Sequence, residues 1–216
     1  MATKKTIDSK FIIDVYMHHV LEESEKPTSV YKFCKTHKIE EQQFYACFGS
    51  FEALEKSIWE LFFDNTMSLA EKNPDYSTFT SKEKLLTFFY TFFELLTANR
   101  SYVLFVLENE KENIKSLMQL SGLRKRVVSF AEALVIDDNA EKSYKISKRP
   151  EKIFAEAAWV QTLFILKFWM HDNSVSFEKT DLVIEKSVRV VFDVFDSSPI
   201  EGILDFGKFL WKEAAV

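Results

Sequence analysis

Two groups of side chains in this sequence contain residue types that bind metal ions. His18 and His19 are adjacent, and His171 is followed by Asp172. A protein metal site needs three or four convergent ligands, and neither pair brings that many together. We therefore expect no metal site here and interpret these histidines as solvated or core residues.

The sequence has no arrangement of residues typical of a nucleophile or of phosphate chemistry. No Ser-His-Asp order and no glycine-rich phosphate loop stand out in it. Cys34 and Cys47 lie in one short helical region and cannot build a disulfide framework. We interpret them as buried or half-buried residues in a reducing compartment. We expect no enzyme activity, no catalytic residue and no cofactor.

The composition favours a chain built from helices. Its 216 residues include only four Gly and four Pro, too few for the turns of a sheet protein, and 22 Phe, which supply apolar area. The net charge of -5 gives no general attraction to nucleic acid or to an anionic membrane. No apolar run follows the first lysines, and no uncharged stretch approaches the ~20 residues that span a bilayer. We expect a cytoplasmic protein without membrane insertion.

Apolar residues recur at helical spacing along most of the chain, which predicts an all-α fold of about ten helices and no strand. Asp8 or Ser9 is placed to cap the first helix, and Ser50 the fourth. The expected helices are 9–23, 28–37, a short one around 44–48, a long one from 50, then 81–96, 102–107, 114–136, 150–171, 177–195 and 200–212. We expect the charged segment 137–149 to be a loop.

The segment 28–54 predicts a short helix, a turn of three or four residues, a second short helix and an abrupt entry into a long one. This is the geometry of a helix-turn-helix module, in which the first helix braces the second so that the second projects. Several side chains here and near the N-terminus could donate hydrogen bonds to phosphates or base edges. They are Lys4, Lys5, Lys32, Lys35, Lys38, Gln42, Gln43 and Tyr45.

The order of residues in this segment resembles the TetR family of transcriptional regulators. The matching residues are Ile39 at the turn, Phe44-Tyr45, Phe48, Gly49-Ser50 and Glu52-Ala53-Leu54, and the resemblance covers roughly residues 9 to 62. It implies a bacterial regulator with a helix-turn-helix DNA-binding-like domain at residues 1–55. Residues 56–216 would then form a ligand-binding and dimerisation domain.

The resemblance also implies a homodimer, since the two long C-terminal helices of TetR-like proteins form a four-helix bundle with those of a second subunit. The segments 150–171 and 177–195 have the right length and place. The candidate interface residues are Trp159, Leu163, Leu166, Met170, Val183, Val190 and Val194. The alternative is that these side chains belong to the internal core of one chain.

The surplus of aromatic residues suggests a pocket for a hydrophobic small-molecule effector, because ligand pockets are mostly apolar with a few polar groups. In the family, the helices that carry these residues surround the effector cavity. The candidates are Phe88, Phe89, Phe92, Phe93, Tyr102, Phe105, Trp159, Phe164 and Phe168. The alternative is a close-packed core, since aromatic stripes at helical spacing are usually core.

Three departures from the family pattern concern DNA binding. Phe51 stands where the family usually has a phosphate-contacting lysine, and the second short helix opens with Glu40 and Glu41. No arginine precedes Arg100, although arginine makes the commonest bidentate contact to guanine. Residues 1–55 contain seven Lys and nine Asp or Glu, a formal charge of -2, so they gain little from counterion release.

Two functions therefore stand beside each other at this point. One is a TetR-like regulator that binds double-stranded DNA as a homodimer and responds to a hydrophobic small ligand. The other is a TetR-fold protein that has lost DNA binding and binds a lipid or an isoprenoid-like molecule.

Overall fold

The computed structural model describes residues 7–108, 118–140 and 148–197. Within these ranges every regular element is helical, which confirms the all-α prediction. The helices are α1 (Ser9–Glu23), α2 (Val30–His37), α3 (Glu41–Cys47), α4 (Phe51–Ala70), α5 (Ser81–Ala98), α6 (Arg100–Glu108), α7 (Ser121–Ala140), α8 (Glu151–His171) and α9 (Glu178–Ser197), with single 3₁₀ turns at Tyr76–Thr78 and Val175–Phe177. The helix expected at 200–212 lies outside the described residues.

The chain divides into two compact units. The N-terminal unit comprises Met1–Pro74 and Thr91–Arg126, and the C-terminal unit comprises Asp75–Tyr90 and Val127–Val216. The boundary between them therefore passes through the sequences of α5 and α7. The functional division proposed at residue 55 falls inside α4 and stays a prediction.

The first helices begin where short polar side chains satisfy their free backbone N–H groups. The carboxylate of Asp8 accepts a hydrogen bond from the backbone N–H of Phe11 at 2.8 Å, and Ser50 Oγ accepts one from Ala53 at 3.3 Å. Such caps typically stabilise a helix by about 1 kcal/mol. The sequence predicts Ser50 as a cap and gives Asp8 as one of two alternatives for the first helix.

The core of the N-terminal unit lies between α1, α4 and their neighbours. Ile12, Tyr16 and Val20 of α1 have no exposed surface, and the same holds for Leu54 and Trp59 of α4. The three α1 positions recur every four residues, as expected for a helix that buries one face. Helix α1 also packs against α6.

The C-terminal unit is built around the paired helices α8 and α9. The ring of Phe154 on α8 lies 5.3 Å from that of Phe192 and 5.1 Å from that of Phe195 on α9, in edge-to-face arrangements. Trp169, near the end of α8, is fully buried. These contacts explain why two long helices with strongly apolar faces stay together.

The expectation of a loop over 137–149 is wrong for its first four residues, since α7 continues to Ala140. Side-chain contacts support the extension. Asp138 accepts a hydrogen bond from Ser81 Oγ at 2.6 Å and is ion-paired with Arg149. The side chain of Asn139 bonds both the backbone N–H and the backbone carbonyl of Arg149, at 2.9 and 2.8 Å. These partners are distant or irregularly spaced in sequence, so hydrophobic periodicity does not reveal them.

One helix in the described part of the chain, Glu151–His171, is long and apolar enough to cross a membrane, with a mean hydropathy of 1.3 over its most apolar window. Half of that window is buried inside the folded chain. Core helices of soluble proteins commonly have this character, so the feature is weak support for a membrane span.

Candidate functional site

Helices α2 and α3 are joined by a tight turn of three residues. Lys38 adopts a left-handed conformation with φ of 57°, and the backbone N–H of Ile39 donates to the carbonyl of Cys34 at 2.9 Å. The Ile39 side chain is buried and anchors the turn. This arrangement fixes the direction of α3 relative to α2, as a helix-turn-helix module requires.

A cluster of aromatic rings packs α2 and α3 against α1 and α4. Phe33 and Phe44 are buried, and the ring of Phe51 lies 5.6 Å from Phe33, 5.4 Å from Phe44 and 5.6 Å from Tyr16. Phe51 thus packs into the module at the position where the family resemblance implies a phosphate-binding lysine. Its ring adds apolar contact to the junction of four helices.

The exposed face of α3 carries some of the predicted DNA-binding residues. Gln42 and Tyr45 are exposed, as are Glu40 and Glu41 at the start of the helix. Gln43 differs, because its side-chain carbonyl accepts a hydrogen bond from the backbone N–H of Glu40 at 3.0 Å. This bond caps α3 and holds Gln43 half-buried, so its main role in the structure is local.

The lysines of α2 and the turn form the basic part of this surface. Lys32, Lys35 and Lys38 are all exposed, and the ammonium of Lys35 lies 5.8 Å from the centre of the Tyr31 ring. Tyr31 is 56% exposed and was missed from the sequence, although its spacing of four residues from Lys35 puts both on one helix face. Lys4 and Lys5 lie outside the described residues.

A pair of histidines joins α1 to α2 beside this surface. His37 Nε2 and His19 Nδ1 are 3.1 Å apart and share a hydrogen bond, and the ring of Phe33 lies 4.8 Å from that of His37. Burial and the neighbouring His19 lower the pKa of His37, while Glu22 and Glu23 act weakly in the opposite direction. Among the described residues there is no group of three or more side chains that could hold a metal ion.

The predicted effector-binding aromatics fall in both units. In the C-terminal unit Phe88 and Phe89 are buried, and the ring of Phe88 lies 5.3 Å from that of Phe130. In the N-terminal unit Phe92, Phe93 and Tyr102 are buried and Phe105 is half-buried. Burial raises the pKa of Tyr102 far above its usual range, and the Glu55 carboxylate raises it further. These contacts are consistent with the core alternative, and the effector cavity stays a prediction.

The structure does bring two of these aromatics together at an open groove in the C-terminal unit. Phe164 and Phe168 line it with Lys167, His171 and Lys179, and its volume is about 620 Å³. Asp172 at its edge already accepts four hydrogen bonds, from the backbone N–H and hydroxyl groups of Ser174 and Thr180, at 2.7 to 2.9 Å.

The candidate dimer residues separate into two groups by burial. Val190 and Val194 are 58% and 43% exposed, whereas Trp159 and Leu166 are buried within the chain itself. Leu163, Met170 and Val183 are half-buried. Further exposed apolar residues on the same two helices are Val160, Phe164 and Leu182.

The comparison with protein families gives a match in the C-terminal part of the chain. A family model described as the C-terminal domain of tetracyclin repressor-like proteins matches residues 84–210, more than half of the chain. No curated protein matches the sequence. The match covers the segment that carries α8 and α9, whereas the helix-turn-helix geometry lies at the other end of the chain. The chain belongs to the TetR family.

Proposed function

We propose that this protein is a transcriptional regulator that binds double-stranded DNA as a homodimer and responds to a hydrophobic small molecule. The observation that carries the proposal is the α2–turn–α3 geometry. Its left-handed Lys38 and buried Ile39 project α3 with Gln42 and Tyr45 exposed. In such modules the second helix enters the major groove, where amide and phenol groups can hydrogen-bond bases or phosphates.

Lysines around the turn support phosphate contact. Lys32, Lys35 and Lys38 are exposed on or just after α2, on a module that otherwise carries a slight acidic excess. Each ammonium that neutralises a phosphate releases a counterion, which makes the affinity depend on salt. We also propose that the protein is a bacterial regulator located in the cytoplasm, as its family implies.

Exposed valines and leucine on α9, with Val160 and Phe164 on α8, support the homodimer. Soluble proteins seldom leave such large side chains grouped at an accessible surface without a partner. The effector is proposed to be apolar because the family's effector-binding helices here carry so many phenylalanines, several of them only half-buried. The residues proposed to bind the effector are the nine aromatic side chains named as candidates in the sequence analysis.

Two observations, at the N-termini of α3 and α4, favour a second function. The ring of Phe51 packs in the aromatic cluster, and Glu40 and Glu41 are exposed at the start of α3. Both features weaken attraction to phosphates. They favour a TetR-like protein that has lost DNA binding and keeps only a lipid or isoprenoid-like ligand.

Binding to duplex DNA from upstream of the protein's own locus, measured by fluorescence anisotropy over a range of salt concentrations, distinguishes the two functions. For the regulator we expect saturable binding that weakens steeply with salt. Lys38→Ala should weaken binding on all sequences alike and flatten the salt slope by about one. Lys72→Ala, at an exposed lysine just after α4, is the matched control and should change neither. If no binding to duplex DNA is detected even at low salt, the second function is supported instead.

A further inference from the structure

The N-terminal unit contains a cavity that the proposed function does not use. It lies between α1, the turn that follows α1, the first turns of α4 and the residues just before α7, with a volume of about 470 Å³. Its walls include Tyr16, Lys26, Phe51, Glu52, Glu55 and Gln119. The cavity thus combines aromatic rings with ionisable groups, a combination typical of binding sites.

A buried carboxylate lies at the base of this cavity. Glu55 is only 8% exposed, and its Oε1 accepts a hydrogen bond from the Tyr16 hydroxyl at 2.5 Å. The ammonium of Lys26 lies 3.1 Å from Oε1 and 3.2 Å from Oε2. A buried carboxylate is costly unless it is paired and hydrogen-bonded. The cavity therefore needs a cation next to Glu55.

In this structure the required cation comes from the end of a flexible side chain. Lys26 belongs to the turn between α1 and α2, and its side chain is 31% exposed, against 11% for Glu55. Its ammonium reaches the carboxylate from the rim of the cavity. The site therefore already holds an alkylammonium group, the end of a lysine, in contact with both carboxylate oxygens.

The surroundings of Glu55 also suit an ammonium group. The rings of Tyr16 and Phe51 lie 5.6 Å apart on the wall, and aromatic faces attract cations. A hydrogen bond with Ser50 and the backbone of its own helix end lower the pKa of Glu52, which is therefore ionised at neutral pH. Without Lys26, the cavity lining would carry two carboxylates, those of Glu52 and Glu55, and only one ammonium group, that of Lys56. One positive charge would restore the balance.

We infer that this cavity is a binding site for a small primary-amine ligand, whose ammonium group replaces that of Lys26 on the Glu55 carboxylate. The alkyl part of the ligand lies against Phe51, beside the buried Tyr16. Lys26 acts as a tethered competitor, and its removal makes the site more available. The site is distinct from the predicted effector residues, and its ligand is cationic rather than apolar.

The indole of Trp59 offers a local probe for this site. Its Nε1–H donates to Gln119 Oε1 at 3.3 Å, and Gln119 lines the cavity. Its indole resonance in a ¹⁵N–¹H spectrum of the full chain, identified with Trp59→Phe, is followed while n-butylammonium chloride is added. This ion has the length and charge of a lysine side chain. n-Butanol and sodium chloride serve as the uncharged and ionic controls.

We expect a saturable shift with n-butylammonium that neither n-butanol nor sodium chloride reproduces. Lys26→Met keeps the aliphatic stem but removes the competing ammonium, and should tighten binding by about tenfold, because a tethered group competes at a millimolar or higher effective concentration. Lys72→Met, the matched control, should leave the affinity unchanged. Glu55→Gln should abolish the saturable shift while circular dichroism shows the helices intact.

An equal response to n-butanol and n-butylammonium overturns the inference, and so does a Lys26→Met variant that binds no more tightly than the wild type. If Glu55→Gln or Lys26→Met does not fold, the comparison of the two probes on the wild-type chain decides alone. None of these measurements contains DNA, so their outcome is independent of whether the protein regulates transcription.

Discussion

At position 51 a phenylalanine takes the place that the family resemblance assigns to a phosphate-binding lysine. The centre of its ring lies 5.4 to 5.6 Å from the ring centres of Phe33, Phe44 and Tyr16. The residue therefore stabilises the junction of the first four helices. The departure was visible in the sequence. Its structural reason was not, because contacts among three distant helices leave no local pattern.

The paired glutamates at the start of α3 provide a test of the DNA interface. Glu40 and Glu41 are exposed at that end of the helix, and near DNA they would repel phosphates. Replacing both with Gln should tighten DNA binding by about 1 kcal/mol per removed charge at low salt, and by less as salt screens the charges. Anisotropy titrations at two salt concentrations measure the effect.

Glu71→Gln, which removes an exposed charge at the end of α4, is the control for the change in net charge and should have a smaller effect. Helix α3 should lose a little stability in the double variant, because a carboxylate in the first turn favours the helix dipole. Unchanged affinity at low salt would argue that α3 does not face DNA.

The His19–His37 pair makes the stability of the module depend on pH. Burial and His19 lower the pKa of His37, so the folded protein favours the neutral ring. The unfolded chain takes up the proton at the ordinary value of about 6.5. This contribution to the free energy of unfolding is therefore present above that pH and is lost as the pH falls below it.

We expect urea unfolding at pH 7.5 and 5.5 to show a larger loss of stability in the wild type than in His37→Asn, which cannot titrate. The carboxylates of Glu22 and Glu23 oppose the shift, so their replacement by Gln should enlarge the pH dependence. Equal losses in the wild type and in His37→Asn would contradict the assignment to this residue.

At the scale of the helices, Asp172 just after α8 accepts two hydrogen bonds from Thr180 of α9 and two from Ser174 in the connection between the helices. Burial raises the pKa of its carboxyl group, but the bonds from Ser174 and Thr180 outweigh this effect and lower the pKa to about 2. The folded state thus favours the ionised form. Its contribution to stability is present above the ordinary value of 3.8 and disappears as the pH falls towards 2.

Replacement of Asp172 by Ala should lower the free energy of unfolding by about 2 to 4 kcal/mol, because the buried donors of Thr180 and the half-buried donors of Ser174 lose a charged acceptor. Asp172→Asn keeps one acceptor oxygen and should cost less. Asp137→Asn, at an exposed position in α7, is the control. Denaturant unfolding near pH 7 measures all three, and an Ala variant as stable as the wild type would contradict the role of this cap.

Helix boundaries were predictable where the local signals are strong. The first helix was expected at 9–23 and is Ser9–Glu23, since Asp8 caps it and apolar residues repeat at helical spacing. The end of α7 was not predictable, because Asp138 and Asn139 extend it by bonding Arg149. Among the candidate DNA-binding residues, Gln42, Lys32, Lys35 and Lys38 are exposed, and their role in binding stays a prediction. The capping role of Gln43 depends on the exact start of α3.

At the scale of the whole molecule, the proposed homodimer has a direct test at Val190. This side chain is 58% exposed on α9, within the face that also carries Val194 and Leu182. If that face is the interface, Val190→Glu places a charge in it without a partner and should cost several kcal/mol of association free energy. Sedimentation at micromolar concentration should then show a dimer for the wild type and a monomer for the variant.

Val175→Glu provides the matched control. Val175 is 83% exposed but lies in the 3₁₀ turn before α9 and not on that helix, so its substitution should leave the dimer intact. A wild-type monomer at micromolar concentration, or a dimer that survives Val190→Glu, would assign these exposed residues another role.

The length of α4 has a mechanical consequence for the module that it follows. The helix runs without interruption through 20 residues, from Phe51 in the aromatic cluster to Ala70, and is therefore about 30 Å long. As a stiff rod it acts as a lever, since a pivot of about 5° at the far end would displace the Phe51 end by roughly 2 to 3 Å. A shift of that size is about half the distance between neighbouring ring centres in the cluster. A small rearrangement at the Ala70 end of α4 would therefore change the packing around Phe51 at the other end.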